Sequence, residues 1–108
     1  MTGSASRPKW RYVGFHVHPE QGPPPDRRAM VEVLDRAFRE ARLEDRKRLT
    51  VFTGTVGIAR CERSELDTMR RALASIDRVD GRPARVETVV TSGTIKKVKA
   101  HLGLDQRV

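Results

Sequence analysis

The sequence has a single cysteine, Cys61, no asparagine, few aromatic residues and no long hydrophobic run. One cysteine excludes an internal disulfide, which favours a reducing, intracellular setting. A membrane-spanning helix needs about 20 consecutive apolar residues, and residues 1–9 lack the hydrophobic stretch of a secretory signal. The sequence therefore predicts a protein that is neither embedded in a membrane nor secreted.

Basic residues outnumber acidic ones. Lys and Arg total 22 against 14 Asp and Glu, which gives a formal net charge of +8 and a sequence pI of about 10.8. So much positive charge on a small domain favours polyanionic partners, and nucleic acid is the first candidate. An acidic protein would also fit the charge. An anionic membrane surface usually binds an amphipathic helix with large exposed apolar residues, and the sequence contains no such pattern.

The length of 108 residues suits one domain, since domains usually have roughly 100 to 150 residues. Residues 1–9 are small, polar and basic, and are predicted to form a flexible tail. Residues 10–108 are then predicted to form the single folded domain.

Hydrophobic periodicity predicts four strands and three helices in this domain. Residues 11–18 alternate between apolar and polar side chains, as in a strand with one buried face. Asp26 stands where a helix start favours an acidic residue, and an amphipathic pattern of about four turns follows it. Ser64 and Asp67 resemble a capping box at the start of a second helix. The other predicted elements are strands from Arg48 to Thr53, from Val56 to Cys61 and from Arg85 to Val90, a second helix from Glu65 to Ile76, and a C-terminal helix.

The order β-α-β-β-α-β, followed by the C-terminal helix, is that of the ferredoxin-like fold, an α+β sandwich shared by RNA-recognition modules. Right-handed crossovers place the two main helices on one face of a four-stranded antiparallel sheet. Gly54-Thr55 is predicted to form a type II′ hairpin turn, and Asp80-Gly81 another turn.

RNA-recognition modules stack bases on aromatic residues of the two middle strands. In this sequence the predicted strand from Val56 to Cys61 has no aromatic residue, and Tyr12 alone on the first strand makes a poor stacking surface. Any RNA is therefore expected to be bound mainly through its phosphates and its shape.

The segment from Thr91 to Leu102 has the pattern of a strand that leads into a capped helix. Ser92 and Thr94 are N-cap candidates, and Gly93 lets the backbone approach a ligand closely. The free N–H groups and the positive dipole end of such a helix attract phosphate. An ordinary surface helix whose lysines provide solubility is the alternative. The lysines outside its apolar seam are Lys96, Lys97 and Lys99.

Arg60 and Arg63, at the end of the third predicted strand, are weaker candidates for the same phosphate-binding surface. Charged runs usually form a solvated face, so the role of these arginines depends on whether they lie near the lysine helix. The same question applies to Arg70 and Arg71 on the second predicted helix.

Patterns typical of other chemistry are present only in part. His16 and His18 have a strand spacing that can chelate zinc, but a third and a fourth ligand are missing. Cys61 is expected to be a buried core residue, because nothing in the sequence orients or activates it as a nucleophile. Acylphosphatase shares the predicted topology but orients its water with an asparagine, which this sequence lacks. Neither a catalytic nor a metal site is predicted.

The sequence resembles ribonuclease P protein component 2, the Pop-five type subunit of archaea and eukaryotes. The most specific segment is Ser92-Gly93-Thr94-Ile95-Lys96-Lys97, and the resemblance extends from about Trp10 to Leu102. A close paralogue in the same family is an alternative. The other matching segments are Arg11-Tyr12-Val13-Gly14-Phe15, Gly57-Ile58-Ala59-Arg60-Cys61 and Ala72-Leu73-Ala74-Ser75-Ile76.

The resemblance implies a subunit of the ribonucleoprotein endonuclease that removes the 5′ leader from precursor tRNA. The catalyst there is RNA, whose phosphates hold the Mg²⁺ ions, so the protein itself is expected to be noncatalytic and to bind no cofactor. The implied partners are the ribonuclease P RNA, precursor tRNA, the TIM-barrel-like component 3 and the other ribonuclease P proteins. The implied location is the cytoplasm, or the nucleus or nucleolus in a eukaryote. RNA contacts are expected at Ser92, Gly93, Thr94, Lys96, Lys97, Lys99, Arg60 and Arg63.

Two other classes of function remain open at this point. A ferredoxin-like regulatory domain would bind a small anion without RNA. A protein-interaction adaptor of the same particle would bind component 3 and show no salt-dependent affinity for RNA.

Overall fold

In the computed structural model, which describes residues 9–43 and 48–104, five antiparallel strands form one sheet and three helices pack on it. The predicted tail lies outside the described residues except for Lys9. None of the helices in the described ranges is long and apolar enough to cross a membrane. The elements are β1 (Trp10–Pro19), α1 (Arg27–Glu40), β2 (Leu49–Thr53), β3 (Val56–Glu62), α2 (Leu66–Ala74), β4 (Arg78–Val79), β5 (Arg82–Ser92) and α3 (Ile95–Leu102), with a short 3₁₀ turn (Arg63–Glu65) before α2.

The strands lie in the order β2-β3-β1-β5-β4. Without β4 this is the order of the ferredoxin-like fold, so the predicted fold class is confirmed. The predicted number of four strands was wrong, because β4 adds a fifth strand within the described residues. β4 pairs with β5 around Asp80-Gly81, whose φ angles of 56° and 77° suit a type I′ turn. A strand of two residues has no alternating pattern, so only its turn was visible in the sequence.

The turn between β2 and β3 agrees with the type II′ prediction. Thr53 pairs with Val56 across it, and Gly54 has a φ of 60°, which suits a glycine at the first central position.

Gly57, the second residue of β3, is required for a steric reason. A Cβ there would lie 2.3 Å from Cζ of Phe15, so the absence of a side chain makes room for the phenyl ring.

The start of α1 follows the predicted signal. The Asp26 carboxylate accepts a hydrogen bond from the Ala29 N–H at 2.8 Å, which makes Asp26 the N-cap.

The start of α2 differs from the prediction, which placed a capping box at Ser64 and Asp67. The capping box is formed by Glu62 and Glu65 around the 3₁₀ turn, where the Glu62 N–H donates to Glu65 at 3.1 Å.

A tertiary contact explains why the capping box lies on the 3₁₀ turn and not at the predicted Ser64. Glu65 accepts two hydrogen bonds from the Arg48 guanidinium, at 3.0 and 3.1 Å. Arg48 is 5% exposed and precedes β2, seventeen positions away along the chain. The ion pair therefore connects the start of β2 to the entrance of α2, and it draws Glu65 into the capping position.

One face of the sheet, the inner face, packs against α1 and α2. The apolar residues of β1 that were predicted to be buried, Val13, Phe15 and Val17, are at most 1% exposed. They form the main core with residues of β3, α1 and α2. The principal partners are Ala59, Cys61, Met30, Leu34, Phe38, Met69 and Leu73.

The opposite face, the outer face, carries α3. A Cβ on Gly14 would lie 2.7 Å from Val90, 2.9 Å from Val98 and 3.0 Å from Leu102. The helix therefore rests on the backbone of β1 at Gly14, and Val98 is fully buried there. Because Gly14 alternates with Val13 and Phe15, α3 must lie on the face opposite α1 and α2.

Candidate nucleic-acid interface

Two hydroxyl side chains build the first turn of α3. Thr94 is the N-cap, and its Oγ1 accepts a hydrogen bond from the Lys97 N–H at 3.4 Å. Ser92 Oγ accepts one from the Thr94 N–H at 3.2 Å. Both oxygens act as acceptors, so each hydroxyl can still donate its own hydrogen to a ligand. Helical geometry gives the N–H groups of Ile95 and Lys96 no partner within the helix. An anion at this end would meet N–H and O–H donors together.

The residues predicted to bind phosphate on this helix can be reached from solvent. Gly93, Thr94, Lys96 and Lys97 are exposed, and Ser92 and Lys99 are half-buried. The predicted apolar seam of α3 is confirmed. Val98 is fully buried, and Cδ1 of Leu102 lies 3.0 Å from the position that a Cβ on Gly14 would take. That these residues bind RNA remains a prediction.

Arg11 lies beside this turn and was not among the predicted site residues. A Cβ on Gly93 would lie 3.3 Å from Nη1 of Arg11, so the guanidinium passes close to the glycine backbone. The same nitrogen donates to the carbonyl of Trp10 at 2.9 Å. Arg11 is remote from Gly93 in the sequence, and only the pairing of β1 with β5 brings the two together. One feature of the sequence could have pointed to Arg11. It lies two positions before Val13, so it is a charged residue on the same side of β1 as the buried residues.

Arg60 lies at the same end of the sheet as the α3 N-terminus. Tyr12 pairs with Arg60 of β3 on one side and with Ser92 of β5 on the other. Neighbouring strands are about 4.8 Å apart, so the Cα atoms of Arg60 and Ser92 are separated by about 10 Å. The Arg60 guanidinium carbon lies 4.3 Å from the centroid of the Trp10 ring, a cation–π contact.

Arg63 also lies at this end of the sheet. It directly follows β3, is exposed, and its N–H donates to the carbonyl of Lys9 at 2.8 Å. Both weaker arginine candidates therefore lie at the end of the sheet where α3 begins. Arg70 and Arg71 are also exposed, but they belong to α2, which packs on the inner face. They lie in a different layer from the lysines of α3.

His16 and His18 share the outer face, as their spacing predicted. Their rings are stacked with centroids 6.0 Å apart, and His18 Nε2 lies 2.8 Å from Oε1 of Glu87. This hydrogen bond holds the pKa of Glu87 below its usual value of 4.5. Within residues 9–43 and 48–104, no three His, Cys, Asp or Glu side chains are grouped so as to hold a metal ion.

Cys61 is fully buried in the core, in agreement with the sequence prediction. Burial, with the nearby Glu65 carboxylate as a second cause, raises the pKa of the Cys61 thiol from 9.0 to about 11. The thiolate is the nucleophilic form of cysteine, so this residue is unsuited to covalent catalysis at neutral pH.

Comparison with known proteins gives a family and a fold. No curated protein matches the chain in sequence. In structure the chain is similar to a chain in a cryo-EM structure of yeast ribonuclease MRP, with a TM-score of 0.65 and 14% identity over 92% of this chain and 95% of that one. The profile of the Rpp14/Pop5 family of ribonuclease P proteins matches residues 43–102. That range includes three of the four resembling segments, and it is more than half of the 108 residues. The chain therefore belongs to the Rpp14/Pop5 family.

Proposed function

We propose that this chain is a noncatalytic protein subunit of ribonuclease P that binds and supports the catalytic RNA during removal of the 5′ leader from precursor tRNA. Membership of the Rpp14/Pop5 family supports the assignment to the particle, and the net charge of +8 supports RNA as the partner. The observation that carries the RNA-binding role is that the α3 N-terminus, Arg11 and Arg60 all lie at the same end of the sheet.

The first turn of α3 would hold one phosphate of the RNA. Its N–H groups and the Ser92 and Thr94 hydroxyls would donate to the phosphate oxygens, and the helix dipole favours the negative charge. Lys96, Lys97 and Lys99 would neutralise neighbouring phosphates, with Arg60 and Arg63 on the other side of β1. Each neutralised phosphate releases counterions, so affinity should fall with salt.

The proposed role is structural support of an RNA catalyst, without bond-breaking by the protein. The buried Cys61, whose pKa is raised to about 11, offers no nucleophile, and His18 is engaged by Glu87. In this proposal Mg²⁺ is held by phosphates of the RNA. The positive charge of the chain would lower the repulsion between those phosphates and so reduce the Mg²⁺ concentration that the RNA needs to fold.

The other proposed partners are precursor tRNA, component 3 and the remaining ribonuclease P proteins, in an archaeal-type particle in the cytoplasm. For component 3 the chain offers surfaces away from α3. One is a groove between α1 and the edge strand β2, lined by Arg27, Val31, Leu34, Asp35, Phe38, Arg48 and Leu49. β2 is an edge strand of the described sheet and carries half-buried apolar residues, and edge strands are common sites of protein contact.

The test replaces Lys96, Lys97 and Lys99 together by Ala and assays reconstituted cleavage at limiting Mg²⁺, with RNA affinity measured across salt concentrations. The slope of log K against log salt should fall by roughly two units, because each phosphate contact contributes about 0.7 to 0.9. The matched control replaces Arg28, Arg36 and Arg39, three exposed arginines of α1, by Ala. It removes the same charge from the opposite layer and should leave activity nearly unchanged. Unchanged cleavage and affinity in the lysine variant, or equal losses in both variants, would refute the site on α3.

A further inference from the structure

The outer face carries an aromatic and cationic cluster beside the α3 N-terminus, formed by Trp10, Tyr12 and Arg60. Trp10 and Tyr12 are two positions apart on β1 and so project from the same face. Tyr12 pairs with Arg60, whose guanidinium stacks over the Trp10 ring at 4.3 Å. The sequence prediction counted Tyr12 as the only useful aromatic residue on this face. The structure adds a second aromatic ring and a stacked guanidinium plane.

This outer-face cluster is partly exposed to solvent, whereas the equivalent surface nearer the middle of β1 is covered by α3. Trp10, Tyr12 and Arg60 are each half-buried, while α3 closes over the backbone at Gly14. Within residues 9–43 and 48–104, the helix therefore leaves one end of the outer face uncovered, and this is the end at which its own N-terminus lies. Ser92, next to Tyr12 on β5, links the cluster to the phosphate-binding turn.

We propose that an unpaired nucleobase of the bound RNA stacks on the Trp10–Arg60 pair while a neighbouring phosphate is held at the first turn of α3. The inference rests on the proposed function and adds direct contact with a base to contact with the backbone. Unpaired bases in RNA stack on aromatic rings and on the planes of arginine guanidinium groups. The separation of about 10 Å between the Cα atoms of Arg60 and Ser92 lets one strand reach both.

Charge favours RNA over an apolar protein surface as the occupant of this cluster. Lys9 adjoins Trp10, Arg63 donates its N–H to the Lys9 carbonyl, and Lys96 lies in the first turn of α3; all three side chains are exposed. A stacking surface surrounded by positive charge suits a base that carries its own phosphates. An apolar protein surface would leave those charges desolvated without partners.

The chain has one tryptophan, so its fluorescence reports on this cluster alone. The probes are a short uridine oligonucleotide and an abasic oligonucleotide with the same number of phosphates. The uridine probe should quench Trp10 fluorescence and bind roughly 5- to 150-fold more tightly than the abasic probe, which corresponds to the usual strength of stacking one base. Both probes should show the same dependence on salt, because their phosphates are equal in number.

Arg60→Lys separates stacking from charge, since lysine keeps the positive charge but has no planar group. This variant should lose most of the preference for the uridine probe and keep the salt slope. The matched control is Arg85→Lys, an exposed arginine paired with His18 at the far end of β1, which should change nothing. Trp10→Leu, with its folding checked by thermal unfolding, should also lose the preference.

Three results would count against these proposals, and they have different meanings. Salt-dependent binding of both probes with equal affinity and no quenching would overturn the stacking inference and leave the proposed function standing. The absence of salt-dependent binding to either probe and to ribonuclease P RNA would overturn the proposed function itself. Quenching by an acidic protein subunit, with none by the uridine probe, would assign the cluster to a protein partner and overturn the inference.

Discussion

The guanidinium of Arg11 lies against the backbone of Gly93, with 3.3 Å between Nη1 and the position that a Cβ would take. The contact brings a strongly basic side chain of β1 to the turn that precedes α3. A phosphate held by this turn would therefore meet a planar, permanently charged donor group from a second element. Arg11 is the clearest candidate for RNA contact that the tertiary structure adds.

Arg11→Ala should weaken RNA binding and lower the slope of log K against log salt by somewhat under one unit, since one phosphate contact is lost. Arg11→Lys should retain most of the slope, because it keeps the charge. The measurement is RNA affinity over a range of salt concentrations. Arg85→Ala, at the far end of the sheet, is the control of equal charge, and a slope change as large as that of Arg11→Ala would contradict the local role.

Gly14→Ala should destabilise the protein and impair RNA binding together. The new methyl group would lie 2.7 to 3.0 Å from Val90, Val98 and Leu102, so α3 must shift away from the sheet. Overpacking of this kind costs about 1 to 3 kcal/mol of the free energy of unfolding. Denaturant unfolding and RNA titration provide the two readouts.

The control for Gly14→Ala is Gly54→Ala, in the turn between β2 and β3. A Cβ at Gly54 has no neighbour within 4 Å, but the φ of 60° is strained for alanine by about 1 to 2 kcal/mol. This variant should lose stability without losing RNA affinity. Equal losses of affinity in the two variants would show that general destabilisation, and not the seating of α3, controls binding.

Glu65→Ala should lower the free energy of unfolding by about 2 to 3 kcal/mol, because it removes the carboxylate that accepts two hydrogen bonds from the buried Arg48 guanidinium. The side chain of Arg48 is 4% exposed and that of Glu65 is 23% exposed. Glu32→Ala removes an exposed pair with Arg28 on α1, at 3.9 Å, and should cost less than about 0.5 kcal/mol. Denaturant unfolding of both variants checks the difference, and comparable costs would mean that burial does not strengthen the Arg48–Glu65 pair.

Cys61 should resist thiol reagents in the folded protein. With its pKa raised to about 11, roughly one thiol in a thousand is ionised at pH 8, and the side chain is fully buried. Reaction with a chromogenic disulfide at pH 8 should become fast only when denaturant unfolds the chain. Fast labelling under native conditions would contradict the burial.

The same shift has a consequence for stability at high pH. The folded-state pKa of Cys61 lies above the unfolded value of 9.0, so its contribution to stability is complete below pH 9 and is lost as the pH rises towards 11. Cys61→Ala should remove this part of the pH dependence. Unfolding curves measured between pH 8 and pH 11 provide the test.

Local features of the fold could be predicted from the sequence alone. The Asp26 cap of α1, the Thr94 cap of α3 and the glycine turn at Gly54 depend on hydrogen bonds and steric limits within a few residues. The inward direction of Val13, Phe15 and Val17 follows from alternation along one strand. These signals were enough for the order of the main elements, and so for the ferredoxin-like fold. The N-cap candidates, Gly93 and the lysines of the segment from Thr91 to Leu102 gave the residues of α3 as the candidate site, and the family resemblance pointed to the same segment.

What the sequence by itself determined was therefore local: the start of α1, the cap of α3 and the buried side of β1, each set by neighbours a few positions away. Only the tertiary structure decided that α3 covers the outer face at Gly14, that Arg11 reaches Gly93, and that Arg60 stacks on Trp10. Each of these contacts joins residues that are about 50 or more positions apart in the chain. The pairing of β1 with β3 and β5 sets such contacts, and local periodicity carries no information about which residues of two strands face each other.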